Sequence, residues 1–583
     1  MRVDGIGSQD LGRPPTRHRA RRPTSRFWPA ATAVVVPTAL VGAHGWWYGK
    51  WIVDDAAITF AYARSIAAGA GPVLQVGAPP VEGYSNPAWM ALHVLGSWLG
   101  LFDRGTWFGV PDYVAFPKAL ALALVAVMFA GFYRVARALL ARPALVTVIA
   151  GVLVAATPSF VIWVMSGLEN SLLVAVVVWL VASMVPAVVS DQISDRFSDG
   201  SENGLLGTRL AAWCGLLAAV AALTRPDGVI YAGAFPLVAI VLVRRDRLGR
   251  TALAVALSCA AFVVPFGAYL GWRVLTFGEW LPNTAIAKGQ QLPTWESFLQ
   301  PVELGAYAGW PVIGAAAVVV VAAFVRGGPS RRPMVAVLVP FLLALAAFTI
   351  LQADWMAELR FATPVWALGA LLTVLSAAQL AAAFWAGHRL LTAAGVVVLG
   401  AAAGSSAPAM WEASVEFTDD PTIGVCVVAE HSGRMVNSYA AALGLPNAAA
   451  PNPSVLAPDL GGSAMTSKLR VVDMVGLADA DIARFWASEN YSAFADHVFE
   501  VVEPTFIKAH EFWFSEPGLD EDPRFERDYV AVASHGESFT DYVRRDAITD
   551  PARFEALKVL AETELVPAVE RVWSLDSCGD RLE

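Results

Sequence analysis

Long apolar runs separated by short polar loops are the feature that most limits how this chain can fold. A helix of about 20 apolar residues spans the hydrocarbon core of a bilayer. Only 16% of the residues are charged, whereas a typical soluble chain carries about 25%. The sequence therefore predicts an α-helical polytopic membrane protein with about eleven transmembrane helices, near residues 28–47, 114–133, 144–164, 170–188, 208–223, 228–243, 251–274, 305–325, 333–351, 362–384 and 388–407.

The basic residues predict the orientation of these helices. Residues 1–27 form a strongly basic arm, and the first apolar run after it is long enough to be an uncleaved span. If 87–101 lies at the interface instead of crossing, nearly every short basic loop faces the cytoplasm, as the positive-inside rule requires. A spanning 87–101 with an unusual topology remains open. We expect a cytoplasmic N-terminus in the cytoplasmic membrane and an outer loop at 48–113.

The tail of the chain is predicted to be a separate extracytoplasmic domain. Residues 28–407 would form the membrane domain, and 408–583 are sufficient for a small soluble α/β or α+β domain. Cys426 and Cys578 lie near the two ends of this tail, in a compartment that permits a disulfide. Two free thiols are the alternative. Nucleic acid is an unlikely partner class, because basic residues are scarce outside the arm and short loops.

Conspicuous polar motifs lie at the predicted outer ends of the helices, beginning with WIVDDAAITFAYAR. The adjacent carboxylates of Asp54 and Asp55 are costly at a membrane edge unless they are solvated, paired or metal-bound. Arg64 is close enough in sequence to pair with them. Glu82 follows in PPVEGYSNPAW, between two turns. Asp55 and Glu82 are candidates for a general-base pair or for ligands of a divalent cation, and a solvated charge pair at 54–55 is the alternative.

Four shorter motifs add acids and bases to the same rim: SGLEN, TRPDG, FGEWLPNTAIAK and ADWMAELR. Arginine and lysine are the donors that a lipid-linked phosphate requires, and a sugar hydroxyl requires a carboxylate base. Individually each motif is also compatible with a simple turn or a snorkelling side chain. Their candidate residues are Glu169, Arg225, Asp227, Asn283, Lys288, Asp354 and Arg360.

Taken in order, these motifs resemble the GT-C superfamily, polytopic glycosyltransferases that use polyprenyl-phosphate sugars. The set W-I-V-D-D, V-E-G, S-G-L-E, R-P-D-G, L-P-N-T and D-W-M is similar to that of the terminal arabinofuranosyltransferases of mycobacterial and corynebacterial cell walls, and to ZomB-type membrane proteins. The tail segment LRVVDMVGLADADIAR is similar to a V-(I/V)-D-x-x-G-L-x-D stretch in the same relatives. The resemblance covers about residues 47–490. VEGYSN is closer to the broader relatives than to the arabinosyltransferases, which leaves the transferred sugar open.

The resemblance implies an inverting transfer of a pentose from a polyprenyl-phosphate donor to a cell-wall or lipid-linked glycan. Arabinofuranose is the first candidate for this pentose. Asp54 or Asp55 would be the base, with Glu82 positioning the acceptor or a metal. No cofactor is expected unless the carboxylates hold a divalent cation. Donor phosphate is assigned to Arg225, Lys288, Arg360 and Arg64, and substrate binding to Asn86, Glu169, Asp227, Asn283 and Asp354.

Two non-enzymatic functions remain as alternatives. A lipid-carrier flippase or transporter should carry ionisable residues near the bilayer midplane or inverted repeats, and the predicted helix interiors lack acids. A scaffold for envelope or motor assembly would tolerate loss of the Asp55 carboxylate.

Overall fold

The chain is mostly helical in a computed structural model that describes residues 27–197, 204–289, 293–351, 355–384, 389–535 and 539–572. The long helices before the tail include apolar ones, and an α-helix makes its backbone hydrogen bonds within itself, as a bilayer requires. The helices before the tail are α1 (Phe27–Trp47), α2 (Asp54–Ala67), α3 (Pro87–Trp98), α4 (Asp112–Leu139), α5 (Pro143–Ala155), α6 (Pro158–Met165), α7 (Asn170–Phe197), α8 (Thr208–Thr224), α9 (Ala234–Val241), α10 (Leu248–Phe277), α11 (Asn283–Lys288), α12 (Pro301–Ala308), α13 (Trp310–Arg326), α14 (Arg331–Ile350), α15 (Thr363–Phe384) and α16 (Arg389–Asp419).

The helices include clear candidates for membrane spans. Within the described residues, 5 helices are long and apolar enough to cross a membrane, and up to 7 if each bent pair counts as one span. Two predicted runs form shorter apolar helices, at Thr208–Thr224 and Pro226–Val241. The membrane-protein class is therefore supported, whereas eleven separate spans remain a prediction.

Two of the predicted spans are broken. The run at 144–164 bends by 81° between α5 and α6, where Pro158 begins the second helix and cannot continue the hydrogen bonding of the first. The run at 305–325 bends by 108° between α12 and α13. Gly309 has a φ of 87° at this bend, a conformation that glycine adopts at little cost.

Helix α3 corresponds to the run at 87–101 whose crossing the sequence left open. Its 12 residues extend roughly 18 Å at the rise of an α-helix, well short of the roughly 30 Å hydrocarbon core. A non-crossing α3 therefore agrees with its length. A two-stranded pair, β1 (Thr106–Trp107) and β2 (Val110–Pro111), lies between α3 and α4.

The tail contains a five-stranded mixed sheet in the order β4-β3-β5-β7-β6. The inner strand β3 pairs in parallel with β4 and β5, and β7 is antiparallel to β5 and β6. All four residues of β3 are buried, as expected for a strand covered on both faces. The strands are β3 (Ser454–Ala457), β4 (Arg470–Asp473), β5 (Phe506–His510), β6 (Tyr529–His535) and β7 (Phe539–Arg544).

Helical segments cover this sheet and connect it to the bundle. The long helix α16 runs through the predicted 407/408 domain boundary without interruption. One continuous apolar core then includes side chains from the bundle and from the tail. The segments are α17 (Val425–Val428), a π-helix (Ala429–Arg434), α18 (Met435–Leu443), α19 (Gly461–Thr466), α20 (Ala480–Ser488), α21 (Tyr491–Asp496), a second π-helix (His497–Val502), α22 (Glu511–Ser515), α23 (Pro523–Asp528), α24 (Pro551–Leu560), a third π-helix (Ala561–Leu565) and α25 (Val566–Arg571).

Candidate active site

The SGLEN segment, residues 166–170, joins α6 to α7 and contacts several of the other motifs. The Ser166 carbonyl accepts a 3.0 Å hydrogen bond from the Val53 N–H, just before the paired aspartates. The Gly167 carbonyl accepts a 2.9 Å hydrogen bond from the indole of Trp89. Gly167 has a φ of 89°, which favours glycine over any residue with a side chain. The segment therefore places the first two motifs side by side.

Asn170, the last residue of the same segment, forms hydrogen bonds with the end of the ADWMAELR motif and the residues that follow it. The Asn170 amide donates to the Arg360 carbonyl at 3.0 Å and to the Thr363 hydroxyl at 2.9 Å. Glu358 and Leu359 have φ values of 64° and 48°. Two consecutive non-glycine residues in this region store strain of the kind found at functional sites. The backbone at Arg360 is consequently fixed against α7.

Asp54 is buried and holds the tail against the bundle. Its two oxygens accept hydrogen bonds of 2.9 and 2.7 Å from the backbone N–H groups of Gly461 and Gly462, at the start of α19. Burial is the main cause that raises the pKa of Asp54 well above its usual value, and the charges of Asp459 and Asp55 add to it, while the two hydrogen bonds oppose the shift. We interpret Asp54 as a clamp between the two parts of the chain.

Gly461 should be intolerant of a side chain because of this clamp. A Cβ atom there would lie 2.0 Å from the Asp54 carbonyl oxygen, so Gly461→Ala must separate α19 from α2. We expect a lower melting temperature, equivalent to roughly 2–4 kcal/mol, the range for a forced shift plus weakened hydrogen bonds. Gly314→Ala is the control, since a Cβ there meets nothing within 4 Å. Equal melting temperatures for the two variants would contradict the clamp.

Asp55 differs from its neighbour because its carboxylate is not committed to the fold. It is half-buried at the first turn of α2, and among the described residues it makes no hydrogen bond or ion pair. Its charge acts on Asp459 of the tail: burial first, then Asp55, raises the pKa of Asp459 to about 6, while Lys508 opposes the shift. The structure therefore leaves Asp55 the more available of the two carboxylates.

The Asp459 shift predicts a pH dependence of stability. A raised carboxyl pKa stabilises the fold at low pH, and this stabilisation is lost as the pH rises from about 4 through about 6. We expect Asp459→Asn to melt nearly like the parent protein near pH 4 and to be more stable by about 3 kcal/mol near pH 8. Thermal unfolding in detergent at both pH values tests this. A variant that is destabilised equally at both would exclude the assigned shift.

Glu82 is bound to two side chains of α10. Arg273 donates to its Oε2 at 2.5 Å and to its Oε1 at 3.1 Å, and the Tyr269 hydroxyl donates to Oε1. Burial raises the pKa of Glu82, and the hydrogen bonds from Arg273 and Tyr269 oppose that shift. Since protein donors occupy both oxygens, this geometry argues against Glu82 as a partner base or cation ligand for Asp55. Glu82 instead fixes its loop to α10.

Arg225 lies in a line of buried polar groups. The Asn86 amide accepts from Thr59 at 3.1 Å and donates to Glu169 at 2.8 Å. Glu169 lies 3.8 Å from Arg225 Nε, and Asp227 accepts from the same Nε at 2.9 Å. Three of the predicted substrate-binding residues therefore support one another and position the arginine.

The outer nitrogens of Arg225 have no hydrogen-bond partner among the described residues. Only 3% of this residue is exposed, and Nη1 and Nη2 are both buried. Its guanidinium lies 4.6 Å from the ring centroid of Phe361, and that of Arg360 lies 5.1 Å from the same ring. An unsatisfied buried guanidinium is costly, so these donors indicate an anionic ligand. The structure brings the predicted phosphate residues Arg225 and Arg360 together.

Arg64 does not join them. Its guanidinium forms a bidentate pair with Asp103, at 2.6 Å for both contacts, and donates to the Met465 carbonyl at 2.6 Å. This arrangement argues against the predicted phosphate role, because the donors that face the protein are already used. Arg64 instead connects α2 to the tail.

The LPNT motif contacts the VVDMVGLAD motif of the tail. The Asn283 side chain donates to the carbonyls of Gly476, Leu477 and Asp479 at 2.7 to 3.2 Å. It is a structural connection in this conformation, not an open substrate ligand. Lys288, at the end of the same short helix, is exposed.

Two predicted residues, Asp354 and Cys578, lie outside the described residues. Cys426 is disulfide-bonded, and its pairing with Cys578 stays a prediction.

Sequence reasoning did not identify the partners that complete the site. Asp459 and Lys508 lie in the tail, hundreds of residues from Asp55, and Phe361 reads as an ordinary apolar helix residue. Arg273 is a basic residue inside an apolar run, and that isolation was the signal that could have singled it out.

The comparisons with known proteins concern the fold. No protein-family model matches the chain, and no curated protein matches it in sequence. ArnT from Cupriavidus metallidurans in the apo state is 17% identical, with a TM-score of 0.54 over 90% of this chain and 100% of that one. The oligosaccharyltransferase of Archaeoglobus fulgidus in the apo form is 12% identical, with a TM-score of 0.50 over 89% of this chain and 75% of that one. At these identities the two matches show that this chain shares their fold.

Proposed function

We propose that this protein is a glycosyltransferase that takes a pentose from a polyprenyl-phosphate donor. Arabinofuranose is the first candidate for this pentose. The acceptor would be a cell-wall or lipid-linked glycan at the outer face of the cytoplasmic membrane. The observation that carries the proposal is Arg225, with two buried nitrogens that find no hydrogen-bond partner in the described part of the chain. A phosphate fits this requirement, since guanidinium groups bind phosphate oxygens in pairs. The choice of a pentose rests on the motif resemblance.

In the proposed reaction, Asp55 removes the proton of the acceptor hydroxyl. The hydroxyl oxygen attacks the anomeric carbon as the bond to the lipid phosphate breaks, with inversion at that carbon. Arg225 and Arg360 stabilise the charge on the departing phosphate, and Lys288 approaches it from α11. A general base contributes roughly 10²–10⁴-fold to the rate, and fixed donors at the developing charge contribute about 3–4 kcal/mol.

Both ends of the SGLEN segment support this arrangement. Val53, next to the aspartates, binds Ser166, and Glu169 lies against Arg225. The base and the phosphate ligand are thus held by one short segment, which supports a shared site. The tail would contribute Asp459 beside Asp55 and would orient the acceptor.

The experiment is a transfer assay with the purified full-length protein in detergent. It would be supplied with a synthetic polyprenyl-phospho-arabinose and an oligosaccharide acceptor, and the product detected by mass spectrometry. A set of other polyprenyl-phosphate sugars, pentose and hexose, identifies the true donor. Transfer of a hexose alone would exclude the pentose, and absence of any transfer while the lipid donor crosses vesicles would favour the flippase alternative.

The orientation has a separate test. A protease added to intact spheroplasts should reach the tail if it is extracytoplasmic, and protection of the tail would overturn this placement.

A further inference from the structure

Helix α3 has the opposite polarity pattern to a surface helix of a soluble protein. Its polar side chains, His93 and Ser97, are buried. The exposed residues of the helix and its C-cap are all apolar and recur at helical spacing, which places them in one stripe. They are Ala91, Leu95, Trp98 and Leu99. With Trp98 and Leu99 64% and 63% exposed, this stripe has no cover within the described protein. The proposed transfer reaction uses none of these side chains.

The hairpin after α3 carries an aromatic side chain at its tip. Trp107 pairs with Val110, so Phe108 and Gly109 form a two-residue turn, and their φ values are 51° and 81°. Such a turn favours glycine, asparagine or aspartate, and a bulky residue in this conformation is strained. Phe108 is also fully exposed, so packing within the described residues does not offset the strain. A strained and exposed phenylalanine indicates that its ring contacts something outside the protein.

Hydrogen bonds hold this hairpin in a fixed position at the start of α4. Asp112, the first residue of α4, accepts from the backbone N–H groups of Arg104 and Gly105 at 2.6 and 2.7 Å. Just before the hairpin, Asp103 forms an ion pair with Arg64 of α2. The tip is therefore presented by a well-connected structure, and its exposure does not come from a loose loop.

The stripe and the tip both lie where helices of the bundle end. The candidate span α4 begins at Asp112, four residues after Phe108. Helix α3 packs on the first turns of α4, where a Cβ atom at Gly96 would meet the ring of Phe116, and it also contacts the apolar helix α8. Both features are consequently at the depth of a bilayer interface, where aromatic side chains are enriched.

We propose that α3 and the Phe108 hairpin insert together into the bilayer leaflet in which α4 begins, as an interfacial anchor. Helix α3 lies in the plane of the interface with its apolar stripe toward the acyl chains, and Phe108 enters the leaflet beside it. Arg104 is the one lysine or arginine between residues 87 and 111, and its exposed side chain can reach lipid phosphate while its stem covers apolar surface. A lipid surface explains both the polarity of α3 and the strained tip, and it continues the apolar surface of the neighbouring span.

Spin-label accessibility of the full-length protein, in vesicles of phosphatidylcholine and phosphatidylglycerol, tests the anchor. Cys259→Ser removes the exposed free thiol, and a nitroxide is then attached to Phe108→Cys or to Trp98→Cys. We expect oxygen, which partitions into lipid, to relax both labels more than a water-soluble nickel chelate does. Val76→Cys is the control, because Val76 is an exposed apolar residue of the same loop whose neighbour Gln75 is bound to the tail. The nickel chelate should dominate there.

Two results would overturn the proposal. A nickel response at Phe108 and Trp98 equal to that at Val76 would place the stripe and the tip in water. Protection of both labels from oxygen and from nickel would indicate a protein surface over them, such as a second copy of the chain.

Photo-cross-linking of the unmutated protein gives an answer that does not depend on the folding of a variant. A phosphatidylcholine with a diazirine in its acyl chain should label residues 91–111. It should also label α10 around Val264, which is exposed within a candidate span and serves as the positive control. Labelling around Val264 without labelling of 91–111 would exclude the anchor, whether or not the protein transfers a sugar.

Discussion

Asp55→Asn is expected to reduce sugar transfer by roughly 10²–10⁴-fold, the contribution of a positioned general base. The amide cannot accept the proton of the acceptor hydroxyl, whereas its shape is nearly that of the carboxylate. Since the Asp55 carboxylate makes no hydrogen bond or ion pair among the described residues and its charge repels Asp54 and Asp459, the melting temperature should not fall. The measurement is the initial rate of transfer, with donor and acceptor saturating, beside thermal unfolding of the same preparation.

Asp54→Ala is the matched comparison, because it removes the neighbouring carboxylate. The N–H groups of Gly461 and Gly462 would lose their acceptors, so we expect destabilisation of about 2 kcal/mol or more. The two variants should thus differ: Asp55→Asn loses rate without losing stability, and Asp54→Ala loses stability. Full activity of Asp55→Asn would exclude it as the base and favour the scaffold alternative.

Arg225→Lys is expected to lower kcat/KM for the lipid donor by about 10²-fold, the scale of removing one charge-stabilising donor. Lysine keeps a positive charge near Glu169 and Asp227, so the buried acids stay compensated. Its single ammonium cannot replace the two guanidinium nitrogens for which the described residues offer no hydrogen-bond partner. Kinetics with varied donor at fixed acceptor measures the effect.

Arg64→Lys separates phosphate binding from a general loss of arginine. Arg64 is paired with Asp103 and with the Met465 carbonyl, so its replacement should lower the melting temperature and leave the KM for the donor unchanged. If Arg225→Lys leaves the donor kinetics unchanged, the phosphate assignment is wrong. If Arg64→Lys alone raises the donor KM, the phosphate lies near α2 instead.

The grouping of the short motifs followed from the sequence because helix ends on one side of a membrane are necessarily close. Glu169, Arg225 and Arg360 are each weak signals in the sequence, and the described contacts bring Arg225 and Arg360 to the SGLEN segment that contains Glu169. Their individual roles did not follow in the same way. Asp54 and Asp55 are adjacent in sequence and identical in chemistry, and only α19, from the tail, makes one of them a clamp.

The broken helices show a similar limit. Apolar length predicts a span, but the bends after α5 and α12 depend on how Pro158 and Gly309 are used in the packed bundle. Glu82 was a candidate base by its setting in the sequence. Arg273, almost two hundred residues later, occupies both of its oxygens.

The sequence by itself determined that this chain belongs in a membrane and that its polar motifs lie at helix ends. Hydropathy and loop charge are local properties of the chain, and they govern insertion and orientation in the bilayer without any tertiary contact. Only the tertiary structure decided which carboxylates and arginines are already paired and which remain available. That decision depends on partners such as Gly461, Arg273 and Asp103, which the chain brings to the site from distant positions. A pair of residues far apart in the chain produces no periodic pattern in the sequence, so such pairs could not be predicted from it.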